Sequence, residues 1–144
     1  MEVLVKVLRE DALIPEYANV GDAGCDLVAL ETYTLKAGGG RALVATGLSV
    51  AIPEGYAGFV LPRSGLAIKH GVTCVNAPGL IDAGYRGELK VALVNLDSQS
   101  DYEVHPGDRV AQLVIIETTT ASFRLVLALP DTARGVGGFG SSGR

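Results

Sequence analysis

"ALVATGLSVAIPEGYAGFVL", residues 42–61, sets apolar runs on either side of a proline-glycine reversal, and none of them keeps the spacing of a helix. Pro53 presets φ for a turn and Gly55 is free to take a positive φ, so "PEGY" at 53–56 should reverse the chain. The stretch reads as strands at 42–45, 48–52 and 56–61. Working outward, the same short runs give strands at 3–8, 26–30, 72–75, 88–96, 102–105, 109–117 and 122–127, with a second reversal at "HPGD", 105–108. Two hairpins are expected at these turns. Many short strands with such punctuation describe an all-β domain, as a sandwich, barrel or jelly roll. One helix is expected, "SGLAIKHG" at 64–71, with Ser64 as its N-cap and Gly71 ending it after about two turns.

The chain has 144 residues, 48% of them hydrophobic and 19% charged, which suits one globular domain with a real core. Its net charge of -4 lacks the overall basic character of non-specific nucleic-acid binders, so no nucleic-acid partner is expected and any bound anion must meet a local cluster. No apolar run approaches the roughly 20 residues of a membrane span, and "MEVLVKVLRE" has no signal-peptide pattern, so a cytoplasmic protein without a membrane partner is expected. Cys25 and Cys74 lack metal-site spacing and read as buried thiols. His70 and His105 read as structural or solvated. From Arg134 onward, seven of eleven residues are glycine or serine, too little apolar surface to offset the entropy of ordering. The division expected is a β domain over 1–133 and a flexible arm over 134–144.

Three polar stretches stand beside apparent core. In "PRSGLA", 62–67, Arg63 offers a forked cation, while Ser64 and Gly65 open a helix whose first amides are free, a combination suited to phosphate. Alone it is equally a capped surface helix. In "NAPGLIDAGYRGELKVALVN", 76–95, Asp82 lies at the centre of a glycine-rich hairpin, placed either as a general base on water or as the cap of its own turn. Tyr85 there is either core or a ligand platform, and Arg86 with Glu88 a cross-turn ion pair. In "GDAGCDLVAL", 21–30, Asp26 opens an apolar strand, where a carboxylate needs a partner, water or a metal. A triphosphate with magnesium accounts for both signs of charge.

Taken together, "DAGCDLVA", "PRSGLA", "GLIDAGYRGELKVALVN", "GDRVAQLVI" and "RGVGGFGSSG" resemble, in order, the five motifs of the trimeric dUTP diphosphatases, from about Val3 to the end of the chain. The resemblance implies a distorted jelly-roll β-barrel assembled as a homotrimer, with each active site built from all three chains. It implies hydrolysis of dUTP to dUMP and pyrophosphate with Mg2+, which limits uracil in DNA and supplies dUMP for dTMP synthesis. By motif match Asp82 is the base. Arg63, Ser64 and Gly65 bind phosphate, Gln112 touches phosphate near the reacting centre, and Asp26 reaches the metal through water. Asn76, Leu80, Ile81 and Lys90 are matched to the uracil-binding hairpin and strand, and Tyr85 to the residue that packs beneath the deoxyribose and excludes a 2'-hydroxyl. On the arm, Phe139 would stack on uracil in a neighbouring subunit, while Arg134, Gly140, Ser141 and Ser142 close over the phosphates.

Two alternatives share the fold. The dCTP deaminases need a glutamate on the strand after the hairpin, where this chain has Ala92. A non-catalytic nucleotide-sensing regulator would lack the base or the arm, and this sequence has both.

Overall fold

The computed structural model describes residues 1–138 and contains ten strands and one helix. In chain order these are β1 Leu4–Val7, β2 Cys25–Val28, β3 Tyr33–Leu35, β4 Arg41–Ala51, β5 Tyr56–Pro62, α1 Ser64–His70, β6 Val72–Cys74, β7 Gly79–Ile81, β8 Glu88–Asn95, β9 Tyr102–Val104 and β10 Arg109–Glu117. Two four-stranded sheets, β1-β4-β8-β6 and β2-β10-β5-β7, enclose the core, and β3-β9 adds a two-stranded ribbon. The fold is all-β, a distorted jelly roll. Alternating inward residues build its interior: Leu89, Val91 and Leu93 of β8 and Val44 and Val50 of β4 come from one sheet. Leu27 of β2, Val60 of β5 and Leu113 of β10 meet them from the other. Each such side chain contributes about 1.5–3 kcal/mol on burial.

Every ladder is antiparallel, and no two strands adjacent in sequence pair with each other among the described residues. Both expected reversals form: Tyr56 N donates to Pro53 O at 3.2 Å and Asp108 N to His105 O at 3.0 Å, with Gly55 and Gly107 at φ 83° and 91°. Neither makes a hairpin. The first turn carries the chain from one four-stranded sheet to the other, and the second carries it from the ribbon into the β2-β10-β5-β7 sheet. The 76–85 stretch is no hairpin either, because β7 pairs with β5 while β8 pairs with β4 and β6.

Further departures have local causes. The strands expected at 42–45 and 48–52 are one strand, β4, whose register with β8 shifts between Ala45 and Ser49. A bulge at Gly47, φ 68°, absorbs the shift. The groups it frees are satisfied, as Thr46 Oγ1 donates to Leu89 O at 2.6 Å and Gly47 N to Glu88 Oε1 at 2.9 Å. Residues 122–127 alternate like a strand yet enter no sheet among the described residues. Ser64 does not cap α1: it is the first helical residue, Arg63 holds the cap position, and no side-chain cap bond forms. Gly71 ends the helix in the left-handed region as expected. Cys25 and Cys74 are buried free thiols, and burial pushes both thiols up.

One buried amide ties the ribbon to the sheets. Asn95, fully buried at the end of β8, donates to Leu35 O at 3.0 Å and Ser100 O at 2.8 Å and accepts from Asp97 N at 3.0 Å. Asp97 in turn accepts from the amides of Gln99 and Ser100, which holds its carboxyl below the usual carboxylate range. Asn95→Ala strands two carbonyls and one amide, and should lower unfolding stability by about 2–4 kcal/mol. Urea unfolding checks this, and a change below about 0.5 kcal/mol contradicts the role.

Candidate functional site

Strand register assembles the first cleft. Gln112 of β10 lies opposite Asp26 of β2 on one side and Leu61 of β5 on the other, and Arg63 follows the end of β5. Asp26 is therefore neither a solvated strand end nor an isolated buried charge. Its Oδ1 lies 3.1 Å from Arg63 Nε and its Oδ2 accepts from Arg109 Nη1 at 3.2 Å. Arg63 Nη1 also donates to Arg109 O at 3.2 Å. Asp26 Oδ1 is buried and accepts no aligned hydrogen bond, so its contact with Arg63 is charge-charge rather than directional. Beside this cluster lies a cleft of about 380 Å³ lined by Arg63, Ser64, Gly65, Lys69, Arg109 and Gln112 together with Leu66 and His70. Three cationic side chains against one carboxylate make this a place for a polyanion. Because no side chain caps α1, its first amides remain open to a ligand. Arg109 and Lys69 were not singled out from the sequence, and His70, read there as structural or solvated, lines the cleft. Arg109 could have been, since a cation directly after a turn and ahead of an apolar strand needs a reason to be there.

The second cleft, about 450 Å³, is lined by Leu43, Leu80, Ile81, Asp82, Tyr85, Glu88 and Lys90. Asp82 follows β7 and is exposed; its backbone carbonyl accepts from Tyr85 N at 3.0 Å, closing a turn. The cap reading of its side chain is not realised. Among the described residues the Asp82 carboxylate makes no hydrogen bond or ion pair. Tyr85 is exposed rather than core, and its hydroxyl donates to Glu88 O at 2.9 Å. The expected Arg86-Glu88 pair is absent from the described residues: Arg86 Nη1 donates to Ala83 O and Tyr85 O, while Glu88 Oε2 lies 3.3 Å from Lys90 Nζ. Local carbonyls outcompete the cross-turn partner. Asn76 is exposed in the turn after β6 and lines neither cleft.

The clefts share no lining residue, and the β5 ladder explains why. Ile81 lies opposite Gly58, so Asp82 leaves the sheet near the start of β5, whereas Arg63 lies beyond its end. The five-residue step from Gly58 to Arg63 covers roughly 17 Å of strand at about 3.3 Å each. One chain thus presents a carboxylate cleft and a polyanion cleft too far apart for one reacting centre. Arg134 lies in a turn, where its Nε donates to Gly137 O at 2.8 Å. Phe139, Gly140, Ser141 and Ser142 lie outside the described residues.

No group of three or more His, Cys, Asp or Glu side chains that could hold a metal occurs among the described residues. No helix there is long and apolar enough to cross a membrane.

The dUTPase family pattern matches residues 10–143. The deoxyuridine 5'-triphosphate nucleotidohydrolase of Leifsonia xyli subsp. xyli is 57% identical over 130 residues, covering 90% of this chain and 85% of that relative. The enzyme of the same name from Thermobifida fusca is 53% identical over 143 residues, covering 99% and 79%. Among solved structures, the Staphylococcus bacteriophage 80alpha dUTPase with dUpNHpp superposes with a TM-score of 0.92 at 31% identity, covering 99% of both chains. A mutant dUTPase from phage phi11 of S. aureus, solved for its coordination of a structural Mg(II) ion, has a TM-score of 0.81 at 30% identity, covering 89% of this chain and 98% of that one.

Asp26→Ala should leave Arg63 and Arg109 facing each other without a counter-charge, lowering unfolding stability by about 1–3 kcal/mol. Inorganic pyrophosphate should recover part of the loss by replacing the carboxylate between the guanidinium groups. Thermal unfolding with and without pyrophosphate measures this, and an unfolding profile indifferent to the anion contradicts it.

Proposed function

The chain belongs to the dUTPase family, and from that premise we infer that it hydrolyses dUTP to dUMP and pyrophosphate. Acting on the cytoplasmic nucleotide pool, it keeps uracil out of DNA and supplies dUMP for dTMP synthesis. Asp82, a carboxylate without a partner among the described residues, stands beside Tyr85 in one cleft while a second cleft gathers Arg63, Ser64, Gly65 and Gln112, and this carries the reading. Asp82 takes a proton from a water as the water oxygen bonds to the α-phosphorus and the bond to the bridging oxygen of pyrophosphate breaks. Arg63 and the amides of Ser64 and Gly65 hold the phosphates, and Gln112 holds an oxygen near the reacting centre.

The substrate is dUTP carrying Mg2+. A single carboxylate set between two guanidinium groups does not make a protein cage for magnesium. The Asp26 carboxylate, part exposed beside the Arg63 cleft, does suit a water of an ion that the phosphates bring with them. Bound there, such an ion would neutralise phosphate charge, and Asp26 would hold one of its waters.

Uracil selection falls to β7. That strand is the edge of its sheet and pairs only with β5 among the described residues, so alternate residues along Leu80 and Ile81 turn amide and carbonyl outward, where they can meet a uracil edge. Asn76 and Lys90 flank the base. Cytosine would leave those groups mismatched, and thymine's methyl would be excluded.

The working enzyme is a homotrimer in which the Asp82 cleft of one chain closes against the Arg63 cleft of another. Support comes from the separation of the clefts along β5 and from residues 122–129, where Phe123, Leu125, Leu127 and Leu129 are all almost fully exposed. Such a period-two apolar stripe needs a covering surface. The body of the subunit is 1–133. The arm, 134–144, reaches a further subunit's site, where Phe139 stacks on uracil and Arg134, Gly140, Ser141 and Ser142 close over the phosphates.

Pyrophosphate release measured over dUTP, dTTP, dCTP and UTP should respond to dUTP alone. Asp82→Asn should bind dUTP within a few-fold of the parent by calorimetry while its turnover falls by about a thousand-fold or more. Turnover of all four nucleotides, or near-normal turnover in Asp82→Asn, contradicts the reading.

A further inference from the structure

Tyr85 is held from three directions. Its amide donates to Asp82 O at 3.0 Å, its carbonyl accepts from Arg86 Nη1 at 2.7 Å, and its hydroxyl donates to Glu88 O at 2.9 Å. The last bond draws the ring back across the turn, over Gly87. A Cβ at Gly87 would meet the Tyr85 hydroxyl, with Cζ at 2.6 Å and Cε2 at 2.9 Å, closer than carbon atoms approach in folded proteins. The φ of Gly87 lies outside the left-handed region, so the ring requires glycine here and the backbone does not. Gly84, three residues earlier, meets nothing within 4 Å of an added Cβ.

We propose that Gly87 is a positioning residue that determines sugar specificity: by carrying no side chain it lets the Tyr85 ring lie flat over the turn, in the one place where the ring rejects a 2'-hydroxyl. The proposal rests on Tyr85 being the residue that faces the deoxyribose. A methyl group at 87 displaces the ring, because the atoms it meets are the free end of a side chain and yield more easily than backbone. Gly87→Ala therefore keeps the fold and moves the gate. Discrimination by shape depends on wall position, so a displaced ring admits the ribonucleotide while the uracil and phosphate contacts stay as they were.

The test compares kcat/KM for dUTP and UTP in the full-length protein and in Gly87→Ala, Gly84→Ala, Tyr85→Ala and the Tyr85→Ala/Gly87→Ala double variant. Gly87→Ala should lower the dUTP-to-UTP ratio by about ten-fold or more, with little change in thermal midpoint, and Gly84→Ala should leave the ratio unchanged. Once the ring is gone, Gly87→Ala should have no further effect. An unchanged ratio in Tyr85→Ala removes the sugar-facing reading and the proposal with it. A lowered ratio in Tyr85→Ala beside an unchanged one in Gly87→Ala, or an equal effect of Gly87→Ala in both backgrounds, overturns the proposal alone. If Gly87→Ala does not fold, folding restored in the double variant supports a clash with the ring, and failure in both overturns it.

Discussion

The antiparallel register of β5 with its two neighbours, β7 and β10, governs where Asp82, Gln112, Asp26 and Arg63 lie. On one side, Ile81 opposite Gly58 delivers Asp82 to the start of β5. On the other, Gln112 opposite both Leu61 and Asp26 gathers the anion-binding groups at its end. A slip of one residue in either ladder would turn these side chains to the opposite face and place core residues in solvent. The buried Val60 and Leu113, which face each other across that register, hold it in place. Core packing and site geometry are thus one constraint, and its consequence is that a single chain carries two incomplete clefts.

Each cleft is organised before any ligand arrives. Asp26 sits between Arg63 and Arg109, so that two guanidinium groups that would otherwise repel are held at the mouth of one cleft. Three bonds and a bare glycine hold Tyr85 in the other. Rigidity of this kind suits phosphoryl transfer, where positioning and fixed charge do most of the work and the protein needs no covalent step. The Asp82 carboxylate has no protein partner among the described residues, and so can accept a proton.

Local chemistry made much of this legible in the sequence. Short apolar runs and the "PEGY" and "HPGD" reversals identify an all-β chain, and five ordered motifs name the family. Pairing was not legible, because all the ladders join strands distant in sequence and a local pattern carries no record of its partner. Gly47 looked like a break and is a bulge inside β4. β7 has three residues, opens on glycine and follows Pro78, so it offers no strand signal of its own and exists because β5 pairs with it. Residues 122–127 show the reverse case, a strand pattern with no ladder among the described residues. Arg109 escaped notice because its role depends on Asp26 across a register that no single segment reveals, and Glu88, expected to pair with Arg86, instead meets Lys90 on its own strand and Gly47 N on β4.

The central claim is that Asp82 and Arg63 act in one site only when different chains supply them. Mixing subunits tests it most directly: Asp82→Asn and Arg63→Ala proteins, each inactive alone, are co-assembled and assayed for pyrophosphate release from dUTP. Mixed assemblies contain interfaces where an intact Asp82 cleft meets an intact Arg63 cleft, so the account predicts a substantial return of activity. Co-assembly without any return would contradict it, because it would mean that both residues must come from the same chain.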